Sequence, residues 1–128
     1  MPQLAKGGKW VFGWVAVGPH RTIQIPDEAW AEYGFQEGAE AVLLQGSVTS
    51  GGFGLGTAAG MPEMLLTRAV GRSLFQTART VRIPEGIDVH PGGRLLAVRG
   101  SGHALGLLAR GRIYDLALTH PAMADSLS

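Results

Sequence analysis

The sequence repeats itself. Residues 21–26 read RTIQIP and residues 79–84 read RTVRIP, 58 positions later. Downstream, AVLLQGS at 41–47 faces LLAVRGS at 95–101, now 54 positions apart. At that second offset Gly38 pairs with Gly92, Gly46 with Gly100, Ser47 with Ser101 and Gly52 with Gly106. The offset falls by four between the two blocks. Copy two has therefore lost about one helical turn of ~3.6 residues. One copy cannot fold alone. It buries about three helix side chains at ~1.5–3 kcal/mol each, against an ordering cost of ~1–2 kcal/mol per residue. Two copies must share a core, within one chain or between chains, which implies a pseudo-twofold barrel.

Each copy has a local reading. Residues 22–25 and 80–83 alternate polar and apolar, as half-buried strands do, and Pro26 and Pro84 end them. In copy one Asp27 opens a short helix as N-cap or first-turn acid, with Glu28 beside it at the positive helix end. Ala29, Trp30 and Tyr33 share one helix face, and Trp30 is the expected anchor. Gly34 is the expected left-handed cap, with Phe35 as the apolar contact after it. Residues 41–44 form the next strand. In copy two Glu85-Gly86 leaves almost no room for a helix, and Val89 and Gly92 replace Phe35 and Gly38. Residues 48–55 and 103–108 read as further extended stretches. The organisation is repeat one over 1–56, a linker or short helix over 57–71, repeat two over 72–113 and a C-terminal tail over 114–128, frayed beyond Leu118. The fold class is mainly β with short helices: a swapped-hairpin (cradle-loop) β-barrel built from two tandem strand–helix–strand repeats.

Composition narrows the function classes. The chain has no cysteine, which removes thiol nucleophiles and Cys-ligated metal sites. No apolar run approaches the ~20 residues of a membrane span. The start, WVFGWVAV, is too short and too rich in tryptophan for a signal peptide and reads as a buried strand ending at Gly18-Pro19. The expectation is a cytoplasmic protein without a membrane partner. Net charge is only +1, but it is unevenly spread. Residues 57–113 hold 8 arginines against 3 acids, whereas residues 1–56 hold 3 basic and 5 acidic side chains. A basic second half is suited to phosphate.

At RTIQIPDEAWAEYGFQEGAEAVLL the sequence resembles the AbrB/SpoVT/MazE family of swapped-hairpin DNA-binding domains. The Ile25-Pro26 pair, the acid-started helix, Gly34-Phe35 and Gly38 before a strand carry the likeness. Ile83-Pro84, Val89 and Gly92 repeat it more faintly. The resemblance implies interlaced strand–helix–strand units, normally a homodimer, acting as a transcriptional regulator. With two units in one chain it implies a monomeric pseudo-dimer or a dimer of such chains. One departure stands out: many members carry glycine just before the strand that leads to Ile-Pro, where this chain has Arg21 and Arg79.

On these grounds the candidate DNA-binding residues are Arg21, Arg79, Arg82, Arg94 and Arg99, acting through phosphates and one bidentate contact to guanine. The alternative function is a non-catalytic barrel module binding a small ligand or protein partner. The location of the arginines discriminates: a contiguous basic face favours DNA, and arginines tied to Glu28, Glu32, Glu37 and Glu40 favour an interaction module. No catalytic residue, cofactor or metal is expected. His20, His90, His103 and His120 have no ligand spacing, and 51–56 (GGFGLG) lacks the ending of a phosphate loop and reads as a bulged strand or hairpin. Trp10, Phe12 and Trp14 are expected on one strand face, burying a partner strand inside the chain or across a homodimer.

Overall fold

Alternation of buried and open side chains builds eight antiparallel strands that form a nearly closed barrel with three short helices. A computed structural model describes residues 1–6 and 8–123. The order is β1 (Val11–Ala16), β2 (Thr22–Gln24), α1 (Asp27–Glu32), β3 (Glu40–Gln45), β4 (Phe53–Thr57), α2 (Glu63–Leu66), β5 (Ala69–Gln76), β6 (Thr80–Arg82), β7 (Arg94–Ser101), β8 (Ala104–Leu108) and α3 (Arg112–Thr119). Single turns of 3-10 helix precede β2 and β6 at Pro19–Arg21 and Thr77–Arg79.

The strands neighbour one another as β1-β7-β8-β4-β3-β5-β6-β2. Exchanging the copies (β1 for β5, β2 for β6, β3 for β7, β4 for β8) maps that ring onto itself. The copies interlace: β1 of copy one pairs with β7 of copy two, and β5 of copy two pairs with β3 of copy one. Registers match residue by residue. Trp14 faces Leu96 and Val15 faces Leu95, as Arg72 faces Val42 and Ser73 faces Ala41. Even the irregularities correspond, with Phe12 left out of the first ladder and Val70 out of the second. The loop bonds follow: Ile25 N–H donates to the Arg79 carbonyl at 2.8 Å, and Ile83 N–H to the Arg21 carbonyl at 2.9 Å. Ile25 and Ile83 are both fully buried.

The register corrects several sequence readings. Gly106 pairs with Gly54 across the twofold, so the counterpart of Gly106 is Gly54, not Gly52. The β3–β4 connection is longer than the β7–β8 one, which moves the offset again. The extended stretch expected over 48–55 begins only at Phe53. The stretch expected as a linker or short helix over 57–71 holds a short helix, α2, and also the start of β5, whose first residue is Ala69. The strand AVGRSLFQ is the structural mate of β1, with no sequence likeness to announce it. The tail is not frayed at Leu118 within the described residues: α3 runs to Thr119 and Met123 is buried. Trp10, Phe12 and Trp14 do not share a face. The bulge between Val11 and Gly13 turns Phe12 toward the barrel interior, while Trp14 lies outside it.

The interior holds Val15, Val17, Ile23, Ile25, Phe35, Leu43, Phe53, Leu55, Phe75, Val81, Ile83, Leu95, Leu105 and Leu107. A second apolar layer sits on the outer face of β1 and β7. There Trp14, Val11, Leu96 and Val98 are capped by Leu4, Ala117 of α3 and Met123. Trp14 meets Tyr114 edge to face at 5.1 Å. No helix among the described residues is long and apolar enough to cross a membrane.

Candidate functional site

The candidate arginines follow from the turns that carry them. His20, Arg21, Ala78 and Arg79 all have φ between 58° and 61°, a left-handed conformation that costs a non-glycine residue roughly 1–2 kcal/mol. Arg21 and Arg79 are the positions at which the resembled family often carries glycine. In Arg21 the side chain supplies a reason for the strained turn. Its guanidinium donates to four carbonyls of copy two: Ile83 at 3.2 Å, Val89 at 2.8 Å, Pro84 at 2.6 Å and Ile87 at 2.5 Å. Arg79 makes one such bond, from Nε to the Ile25 carbonyl at 3.1 Å.

The difference comes from α1. In copy one the carbonyls after Ile25-Pro26 are taken by the helix itself, as in Trp30 N–H to Pro26 at 2.9 Å and Tyr33 N–H to Ala29 at 3.0 Å. In copy two no helix forms after Pro84, and the guanidinium of Arg21 collects the carbonyls of that loop, of which Ile87 also accepts from Val89 N–H at 3.0 Å. The other candidates are scattered. Arg94 stacks over the Trp14 ring at 5.2 Å. Arg99 grips Glu32 through two nitrogens, Nε to Oε2 at 2.8 Å and Nη2 to Oε1. Arg72 pairs with Glu40 at 2.9 Å. Arg82 is exposed on β6 with no hydrogen bond or ion pair to the described residues. Of the five candidates, Arg21, Arg79, Arg94 and Arg99 thus have partners within the chain, and the β2–β6 register sets Arg82 opposite Thr22, the residue after Arg21.

The lost helical turn leaves a different mark. In copy one the end of α1 lies in a groove formed by Phe12 and the Arg99–Ser101 stretch. Tyr33 accepts a hydrogen bond from Gly100 N–H at 3.2 Å and donates to the Ser101 carbonyl at 3.3 Å. Its ring meets Phe12 at 6.3 Å and stacks on Phe35 at 5.7 Å. Trp30 completes the cluster, edge-on to Phe35 and Phe75 at 5.9 and 5.4 Å. Burial pushes the Tyr33 phenol up, partly offset by the Gly100 bond. The hydrogen bonds from Arg99 hold the Glu32 carboxyl below the usual carboxylate range, and Glu32 holds Arg99 up in return.

The twofold mate of that groove is open. Gln45, Gly46 and Ser47 replace Arg99, Gly100 and Ser101, and Val70 replaces Phe12. These residues line a cleft of about 450 Å³ together with Val48, Gly51, Gly52, Phe53, Gly86, Ile87, Asp88, Ala109 and Arg110. Where copy one has Tyr33, copy two has the smaller Ile87, four residues closer to its Ile-Pro pair, and the cleft opens beside it. Two valines stay uncovered in the lining: Val70 is 45% and Val48 89% exposed. The floor depends on glycine: a Cβ on Gly52 would lie 1.8 Å from the Leu107 carbonyl, and one on Gly46 2.1 Å from that of Gly51. Arg110 donates to the Val48 carbonyl at 2.8 Å and forms one wall.

None of these lining residues was singled out as a site in the sequence reading. The signal was present nonetheless, in the fall of the repeat offset from 58 to 54. Among the described residues no three His, Cys, Asp or Glu side chains are grouped as metal ligands are. Comparison of the chain with family models, with curated proteins and with solved structures gave no match.

Proposed function

We propose that this chain is a non-catalytic barrel module that recognises a partner in the cleft beside β3. One observation carries the reading: a cleft lined by uncovered valines and glycine backbone replaces, in one copy, the groove that the other copy fills with its own helix. The size falls within the ~300–1,000 Å³ typical of small-ligand and side-chain pockets. The arginines support it as well. Arg21 is engaged by backbone carbonyls, Arg99 by Glu32 and Arg72 by Glu40. Arg99 and Arg72 are paired with carboxylates and Arg21 has its N–H donors committed to carbonyls, so these three have less to offer a phosphate.

Regulatory DNA binding is the second reading, favoured by Arg82, which stands free on β6 next to the twofold, with Arg79 close in sequence and using only one nitrogen. The two separate in one pair of titrations on a folded sample. The module reading expects small aromatic fragments to shift the amides of Gln45, Gly46, Ser47 and Ile87. It also expects no duplex binding at micromolar protein in roughly 50 mM salt. Duplex binding with a log–log salt slope of about −3 to −4, flattened in the Arg79→Ala, Arg82→Ala double variant, reverses the order.

A further inference from the structure

The partner's chemistry can be taken from the molecule itself, since the filled groove is a twofold image of the empty one. We propose that the cleft docks a tyrosine-bearing helical turn of a partner polypeptide, as the groove of copy one docks the end of α1. This inference rests on the module reading and adds the class of partner.

Three correspondences carry it. The floor residue is apolar in both grooves, Phe12 in one and Val70 in the other, at the same bulge position of the ladder. The wall that receives the Tyr33 hydroxyl in copy one is backbone, the N–H of Gly100 and the carbonyl of Ser101. Its mate is the backbone of Gly46 and Ser47, held on the same strand end by the matching pairs Gln45–Phe53 and Arg99–Leu105. Backbone donors and acceptors do not change with side-chain identity; the Ser47 carbonyl already accepts from Gly51 N–H at 2.8 Å, and its second lone pair is the one available to a hydroxyl donor. The third correspondence is the space itself. Four residues fewer between the Ile-Pro pair and the glycine before the next strand (Gly38 in copy one, Gly92 in copy two) remove the turn that carries the aromatic ring, and a cleft of about 450 Å³ remains. Gln45 replaces Arg99, and the charged side chains of the cleft lining are Arg110, whose guanidinium uses one nitrogen on the Val48 carbonyl, and Asp88.

The test uses the full chain and a helix-constrained peptide with the sequence of residues 26–36, PDEAWAEYGFQ. Titration is followed by amide shifts. The expected result is saturable shifts at Gln45, Gly46, Ser47, Val70 and Ile87. Replacing the peptide's tyrosine by alanine should weaken binding by about tenfold or more, the equivalent of ~1.4 kcal/mol. Two protein variants block the site from opposite sides. Val70→Trp fills the floor from an exposed position and should abolish the shifts. Replacement of Glu85–Asp88 by the sequence of residues 27–34 restores the missing turn and should raise the melting temperature while abolishing peptide binding. Equal binding of tyrosine and alanine peptides, or binding unaffected by Val70→Trp, overturns the proposal. So does a folded wild type that the peptide leaves unshifted. If small aromatic fragments still shift the cleft in that case, only the partner class is wrong. If nothing shifts it and duplex DNA binds with the salt slope above, the module reading falls too.

Discussion

Copy one and copy two solve the same problem, how to cross from the Ile-Pro pair to the third strand, in different ways. Copy one uses a helical turn whose backbone bonds are internal and whose aromatic face (Trp30, Tyr33 and Phe35, against Phe12 and Phe75) is packed into the barrel end. Copy two uses a short loop with no internal ladder. Its carbonyls are gathered by Arg21 from the other copy, and aliphatic residues stand at the matching places: Val89 for Phe35, Val17 for Phe75 and Val70 for Phe12. A turn of helix is thus exchanged for one guanidinium. The exchange satisfies the backbone but leaves volume unfilled, and that volume is the cleft. In a tandem repeat one copy can keep the self-sufficient packing while the other opens, because the shared interior of Ile23, Ile25, Val81 and Ile83 is common to both.

The largest test of this contrast is at the arginines. Glycine is the clean replacement, since both residues sit at positive φ and alanine would keep the strain. Arg21→Gly removes four charge-assisted bonds from part-buried carbonyls and is expected to cost about 3–4 kcal/mol after the relief of strain. Arg79→Gly removes one bond and gains the same relief, so it should lie within about 1 kcal/mol of the parent. Urea midpoints measure both. Equal losses would mean that the guanidinium of Arg21 does not stand in for a helix.

The second test is the aromatic packing. Trp30 is only partly buried, though it meets two phenylalanine rings. Trp30→Ala should cost about 2–3 kcal/mol, below the range for a fully buried tryptophan. Ile87→Ala, next to the open cleft, should cost about 1–2 kcal/mol, because the cavity it leaves is continuous with solvent. Reversed magnitudes in thermal melts would place the stable packing in copy two.

What the sequence made legible follows from the kind of constraint at each position. The Ile-Pro strands, α1 with its Gly34 cap and the Gly46–Gly100 match were readable because backbone geometry ties them to few residue types; Gly34 has φ +65°. The pairing of β1 with β7 and of β5 with β3 was implied only as interlacing. The kinship of WVFGWVAV with AVGRSLFQ stayed hidden, because a strand needs only apolar alternation at the right faces and many sequences supply it. The site was hidden for another reason. Arginines invite a phosphate reading from charge alone, whereas the roles of Arg21 and Arg99 are fixed by partners 62 and 67 residues away. The left-handed turns at His20-Arg21 and Ala78-Arg79 were equally invisible, since no glycine marks them.

Those turns give a smaller test, in which the copies should behave alike. Ala78 has φ 58° and ψ 31° and His20 φ 59° and ψ 22°. Neither side chain makes a hydrogen bond that the backbone needs. Ala78→Gly and His20→Gly are each expected to stabilise by up to about 1 kcal/mol, as strain relief exceeds the entropy glycine adds to the unfolded chain. A loss in one and a gain in the other would show that the two turns are not equivalent.

The smallest effect concerns the ion pair that only copy one retains. Hydrogen bonds from Arg99 lower the Glu32 pKa in the folded chain. A carboxyl depressed on folding contributes stability that is fully present above its unfolded pKa and is lost as pH falls through the carboxylate range toward the folded value. Arg99 is raised, not lowered, and stays charged throughout, so the pair adds no change at neutral or alkaline pH. The side chains are 42% and 35% exposed, and solvent screening keeps such a pair weak. Glu32→Gln should therefore flatten the acid limb of the stability–pH curve slightly and leave the plateau near neutrality almost unchanged. The open groove has Gln45 where the filled groove has Arg99, so Gln45→Ala should leave the acid limb of the parent curve as it is. If Glu32→Gln instead lowers stability equally at all pH values, the role of Glu32 is packing of the α1 end against the Arg99 strand, and the two grooves differ in shape alone.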